Sequence, residues 1–212
     1  MPPHGVTAQV KDEALVRERR AQIVHAAKRV FREKSFHEAT VRDVGVAAGL
    51  TQGTLYNYVR TKEDILYLVC ADLTRTYVED TKAAIAGITD PRERLRLAVR
   101  TLFESMDRHQ DDVRLLYHES HQLSRPALRA VLGEVATFVA LFEQIIEDAR
   151  AAGLVVAGSK PVAADVITYL PTILALRGWR MRRVVDQRQA IEELVAFTLR
   201  GLGIMETDAP AV

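Results

Sequence analysis

A chain of 212 residues that is 48% apolar and 27% charged can bury a proper core in one large or two small domains. Its formal net charge of +1 carries no global signature of a polyanion partner. The single cysteine, Cys70, excludes an internal disulfide, and no run of about 18 apolar residues is available to span a membrane. The N-terminal MPPHGVTAQVKDEALVRERR lacks an apolar stretch of leader length, so a soluble cytoplasmic protein is expected.

Charge is unevenly spread. Residues 1 to 60 carry 10 Lys and Arg against 6 Asp and Glu, a net of +4, which leaves −3 for the remainder. The first quarter is therefore the basic end. Apolar spacings of three and four recur almost throughout, and no stretch alternates long enough for a strand. An all-α fold follows.

Residues 1–12, with Pro2, Pro3 and Gly5 and little to bury, read as a disordered arm, and the final ETDAPAV reads as frayed. A first helix is expected from about Ala14 to Lys34, with Ile23, Ala27, Val30 and Phe31 on its inner face. TVRD at 40–43 reads as a capping box opening a second helix, which Gly49 stops. Thr51 can cap a third helix to about Val59, with Leu55 and Val59 turned inward. Thr61 and Asp64 repeat the capping box for a fourth. Two short helices around a glycine-containing turn, packed on a longer one in a basic segment, make a helix-turn-helix, with its turn motif at about 40–59.

Beyond Gly87 the helices lengthen. Asp90 and Pro91 start one that runs to about His109, and a shorter one spans about 111–122. A long helix from Ser124 and Pro126 to Ala152 carries an apolar stripe too broad for one neighbour. Pro161 opens another to about Met181, which Pro171 should kink, and the last covers 187–202. The domains are thus expected at 13–66 and 67–205.

RRAQIVHAAKRVFREKSFHEATVRDVGVAAGLTQGTLYNYVRTKEDIL resembles the N-terminal DNA-binding domain of the TetR/AcrR family of bacterial transcriptional regulators. GLTQGTLYNYV with the capped TKEDIL carries the resemblance most specifically. The departures are Gly45 for the usual alanine, Gln52 for a common lysine or proline, Val59 for phenylalanine and Thr61 for serine. Such a family implies a three-helix helix-turn-helix domain followed by a larger helical domain for effector binding and dimerisation. It implies double-stranded operator DNA as partner and a homodimer joined through the last two long helices.

On this reading Gly53 lets the recognition helix approach the duplex, and Gln52 beside it can bond adenine bidentately while Thr51 touches a thymine methyl. Tyr56 reaches a phosphate, and Asn57, on the same outer face, a base or a phosphate. Tyr58 has two open placements, against the first helix or on the DNA backbone. Lys62, Thr40 and Arg42 are placed to hold phosphates and so to fix register. Arg17, Arg19 and Arg20 read equally as a basic clamp or as a solvated helix face.

The larger domain of such regulators usually encloses an effector pocket. Its candidates here are Phe103, Leu116, Val135, Phe138, Phe142 and Leu170, with His118, His121 and Trp179 as polar or aromatic additions. His118 and His121 lie three apart on one helix face, but no further ligand completes a metal site, and neither metal nor cofactor is expected. The basic LRGWRMRR segment reads as a solvated helix end or as a partner for an amphipathic anion such as an acyl-CoA. The leading reading is a repressor released from a palindromic operator by a small, largely apolar effector, an acyl-CoA or hydrophobic acid. A DNA-binding regulator without ligand response stands beside it. An enzyme using His118, Glu119 and His121 lacks a nucleophile, a phosphate loop or a complete metal motif.

Overall fold

The computed structural model describes residue 6, residues 8–155 and residues 159–204, and among these every regular element is helical. The elements are α1 (Glu13–Glu38), α2 (Val41–Ala47), α3 (Gln52–Tyr56), α4 (Lys62–Ala84), α5 (Pro91–Arg108), α6 (Gln110–Glu119), α7 (Arg125–Ala151), α8 (Lys160–Tyr169), α9 (Thr172–Met181) and α10 (Gln187–Gly201). A short 3₁₀ turn, Ser120–Gln122, follows α6. The C-terminal ETDAPAV and residues 1–5 and 7 lie outside the described residues.

The chain forms two compact units, Met1–Thr74 with Asp111–Val135, and Arg75–Gln110 with Ala136–Val212. This differs from a division near residue 66 because α6 and the first half of α7 belong with the helix-turn-helix. Leu123, Ala130 and Val131 join its buried core, with Leu115, Leu116, Ala127 and Leu128 packed around them.

In the first unit the helix ends follow local chemistry. Asp12 caps α1 by accepting from the amides of Ala14 and Leu15. Thr40 Oγ1 accepts from the Asp43 amide at 3.0 Å while Asp43 Oδ2 accepts from the Thr40 amide at 2.9 Å. Thr61 and Asp64 reproduce the same reciprocal bonds. Gly49 ends α2 at φ 65°, a left-handed conformation that glycine adopts without steric cost. Ser35 breaks α1 three residues before its end, at φ 65° and ψ 161°. That region is almost confined to glycine and costs a serine on the order of 1–3 kcal/mol.

Of the arm expected to be disordered over residues 1–12, the described Val6, Ala8, Gln9 and Val10 are instead held by the first unit. Val6, Ala8 and Val10 pack against the core, the Gln9 amide donates to the Asn57 carbonyl at 2.9 Å, and Arg20 donates to the Val6 carbonyl. Cys70 is buried, and burial pushes its thiol up to about 12, which makes it an inert core residue.

The second unit is built on α5, whose Leu95, Ala98, Val99, Leu102, Phe103 and Met106 are buried where it packs on α9 and α10. Phe138 meets Phe142 edge-on at 5.5 Å and Tyr77 at 5.9 Å between ring centres. Arg100 holds Glu192 of α10 through two bonds. Pro171 does more than kink its helix: α8 ends before it and α9 starts after it, with Thr172 Oγ1 donating to the Tyr169 carbonyl at 2.7 Å. No helix among the described residues is long and apolar enough to cross a membrane.

Two outcomes are expected. A Cβ on Gly45 would stand 3.0 Å from Leu55 Cδ2, so Gly45→Val should force α2 and α3 apart and cost about 1–3 kcal/mol in thermal unfolding. Lys34, at 2.8 Å, and the bonds from Thr40 hold the Asp43 carboxyl well below the usual carboxylate range. A depressed carboxylate stabilises above its unfolded pKa and ceases to do so as pH falls towards the folded value. The stability difference between the protein and Asp43→Asn should therefore be present at neutral pH and shrink in acid below about pH 4, as read by chemical unfolding at several pH values.

Candidate nucleic-acid interface

The face that α3 offers is set by what the first unit keeps inside. Leu55 is fully buried, and Val59 and Tyr58 are buried beside it, while Thr51, Gln52, Gly53 and Tyr56 are exposed. Of the two placements expected for Tyr58, the structure has its ring buried in the core of the first unit, just beyond the end of α3. Asn57 is half-buried and its carbonyl is taken by Gln9.

Gly53 has no protein atom within 4 Å of the place where a Cβ would stand. Internal packing gives no reason for glycine there, whereas Gly45 is needed for the approach of Leu55. Thr51 Oγ1 accepts from the Thr54 amide at 3.2 Å and lies 2.8 Å from Thr54 Oγ1, so the N-terminus of α3 is capped.

Two of the expected phosphate holders are engaged inside the protein. The Thr40 hydroxyl donates to Asp43 Oδ2 at 2.7 Å, so it has no proton left for a phosphate while the capping box is closed. The Lys62 ammonium donates to the Phe36 and His37 carbonyls at 2.8 and 3.0 Å and sits 4.6 Å above the Phe36 ring. It closes the C-terminal end of α1, where cations are favoured, and keeps one N–H of its three. Arg42 is exposed. Arg20 is half-buried and turned to Val6, while Arg17 is exposed beside Glu13 and Arg19 bonds Gln22.

Sequence reasoning missed the residues that set the pose of α2. Gln22 donates to the Ala48 carbonyl at 2.6 Å and Arg29 to the Ala47 carbonyl at 2.9 Å, so α1 holds the end of α2 through its last free acceptors. Their signal was weak, since both side chains read as solvated helix positions. Val6, Ala8 and Val10 did carry a signal in their period of two.

The nine pocket candidates are divided between the two units. Leu116, His118, His121 and Val135 belong to the first unit, and Phe103, Phe138, Phe142, Leu170 and Trp179 to the second. His121 is exposed and bonds Gln122, and Trp179 is 61% exposed, with Arg183 5.6 Å from its ring. Among the described residues no group of three or more His, Cys, Asp or Glu could hold a metal.

Comparison with known proteins places this geometry. Residues 23–67 match the model of bacterial regulatory proteins of the tetR family, and residues 89–202 match the model of the tetracyclin repressor-like C-terminal domain. The HTH-type transcriptional regulator HbdR of Aromatoleum sp. (strain CIB) is 34% identical over 119 residues, 56% of this chain and 52% of its own length. The chain thus spans about half of that relative. The HTH-type transcriptional activator FasR of Mycolicibacterium smegmatis is 28% identical over 189 residues, covering 87% of this chain and 83% of FasR. The structure of FadR from Bacillus subtilis in complex with stearoyl-CoA superposes with a TM-score of 0.72 at 19% identity, over 85% of this chain and 98% of that one, which shows a shared fold. With the C-terminal model alone covering more than half of its length, the chain belongs to the TetR family of bacterial regulatory proteins.

Proposed function

We propose that this protein is a homodimeric transcriptional repressor that binds a pseudo-palindromic operator in double-stranded DNA and leaves it when a largely apolar effector binds. The observation that carries DNA reading is the division of α3: an inner side closed on Leu55, and an outer side of Thr51, Gln52, Gly53 and Tyr56 with no intramolecular use for its glycine. Gln52 and Thr51 read bases, Tyr56 and Arg42 hold phosphates, and Asn57 supports either contact. Lys62 offers its remaining N–H to a phosphate while it holds the end of α1. Thr40 contributes to the backbone contact through the helix it caps.

A single helix-turn-helix reads only a few base pairs, so a second copy is needed to complete the site, with half-sites about 34 Å apart. Support for dimerisation through the last helices comes from the second unit. Val162, Val166 and Tyr169 lie along one face of α8 and are each more than half exposed, as is Phe197 of α10. Exposed apolar side chains of this size favour burial in an interface.

The effector class rests on two supports. Phe103, Phe138 and Phe142 give the second unit a buried aromatic interior, Leu170 is half-buried at the end of α8, and the same fold in FadR is described in complex with stearoyl-CoA. An acyl-CoA or hydrophobic acid is the class we assign. The relatives that match are transcriptional regulators, and the exposed His118 and His121 form no constellation for catalysis. FasR, matched over most of both chains, is named an activator, which supports activation as the second reading. Removing the gene should raise transcription from its operator if the protein represses and lower it if it activates.

Tyr56→Phe should weaken binding to all operators alike by about fivefold, the worth of one phosphate hydrogen bond, in a mobility-shift titration. Gln52→Ala should instead change which base is preferred at one position, worth about 1–3 kcal/mol of discrimination; unaltered affinity and preference would remove Gln52 from base reading. The pair Val166→Glu with Phe197→Glu should yield monomers in light scattering and bind the full operator no better than a half-site.

A further inference from the structure

The first unit contains a cleft of about 280 Å³ between α1 and α6 that DNA reading does not use. Its walls are the facing stripes of the two helices, and Phe31, Phe36 and Leu115 give it an apolar middle. At one end the charges cancel within the protein. Lys28 lies 3.0 Å from both Asp72 and Asp112, and Arg32 and Arg114 both hold Asp111, at 3.2 and 2.8 Å. At the other end stands Glu119, whose side chain is 14% exposed. Its Oε2 is buried and accepts no hydrogen bond. The nearest cationic candidate, Nε2 of His37, lies 3.6 Å away, beyond hydrogen-bond reach. Ser35, at the same end, holds the glycine-like backbone conformation that breaks α1.

A buried carboxylate oxygen without a donor is costly, and so is strained backbone in a serine. Both costs fall on the lining of one cleft in which Lys28, Arg32, Asp111, Asp112 and Arg114 are already paired and His118 is exposed. From this we propose that the cleft is a second small-molecule site, located in the DNA-binding unit, for a compact aromatic or aliphatic monoamine. The apolar body lies between Phe31, Phe36 and Leu115, and the ammonium donates to Glu119 as the side chain turns to meet it. A carboxylate ligand is disfavoured by Glu119 itself, and a neutral ligand leaves the carboxylate as it is. The volume, below that of a typical drug-sized pocket, suits a molecule of roughly ten heavy atoms. A monoamine seated there bridges α1 and α6, so it acts on the helix that holds α2 in place.

The test uses the full chain and 2-phenylethylamine, with phenylacetate and 2-phenylethanol as the anionic and neutral molecules of matching body. Titration calorimetry should give one amine bound per chain, with the two analogues at least tenfold weaker. Glu119→Gln, which keeps the shape of the side chain, should weaken the amine at least tenfold, and Leu115→Trp, which fills the cleft, should abolish it. Circular dichroism checks the fold of both variants. Absence of saturable binding up to about 5 mM amine, equal binding of all three molecules, or binding retained in Glu119→Gln would each overturn the proposal. Operator binding, measured separately on the same samples, keeps its outcome distinct from that of the DNA-binding reading.

Discussion

The close approach of α2 to α3 across Gly45 is the constraint on which the DNA-reading surface depends. Leu55 packs over the bare Cα of Gly45, and the Leu50 amide closes the turn on the Gly45 carbonyl at 2.9 Å. With Leu55 fully buried, Tyr58 and Val59 just beyond α3 are buried beside it, and Gln52, Gly53 and Tyr56 are left exposed. Rotation of this short helix about its axis is blocked by a single fully buried leucine. The orientation of α2 is fixed in turn by Gln22 and Arg29, which reach from α1 to the carbonyls that α2 leaves unpaired.

Much of this was legible in the sequence because it is local. A threonine or aspartate three residues before its partner, a glycine at a left-handed stop and a proline in a first turn act within one helix end, and the two capping boxes, Gly49 and Pro91 all stand where their spacing puts them. The inward turn of Leu55 and Val59 was equally legible, although α3 ends at Tyr56 and does not run on to Val59 as its spacing suggests. What sequence could not show were contacts made between distant positions. Lys62 reads as a free surface cation, yet α1 ends within reach of it and takes two of its protons. Thr40 reads as a phosphate contact, but its capping partner has claimed its hydroxyl hydrogen. The break at Ser35 has no proline or glycine to announce it, and Phe36 just after it packs edge-on against Phe31, 5.2 Å away.

Charge in the first unit is used mostly to join helices remote in sequence. Burial alone would lower the Lys28 pKa, but Asp112 and Asp72 outweigh it and hold the ammonium charged, so that α1, α4 and α6 share one ion cluster. A raised lysine contributes its stability at all pH values below its unfolded pKa, and the cluster is therefore intact across the neutral range. Its value lies more in alignment than in energy, because the cost of removing such charges from water offsets most of their attraction. Alignment is what a DNA reader needs of α1, whose other face carries the bonds to α2.

The places where this protein departs from ordinary internal packing are the places where the proposals put a partner. Gly53 sits in a helix with empty space where its Cβ would be, a cost of about 1 kcal/mol that no internal contact offsets. Val166, Tyr169 and Phe197 leave apolar surface in water on regular, well-packed helices. Glu119 keeps an oxygen without a donor. Gly45 shows the contrast: it is as poor a helix former as Gly53, and Leu55 accounts for it fully. A residue type alone therefore identifies neither a packing device nor a contact; the distinction is whether the neighbours within the fold explain the cost, and they explain Gly45 of α2 and leave Gly53 of α3 without an internal reason, which is what the proposed DNA contact would supply.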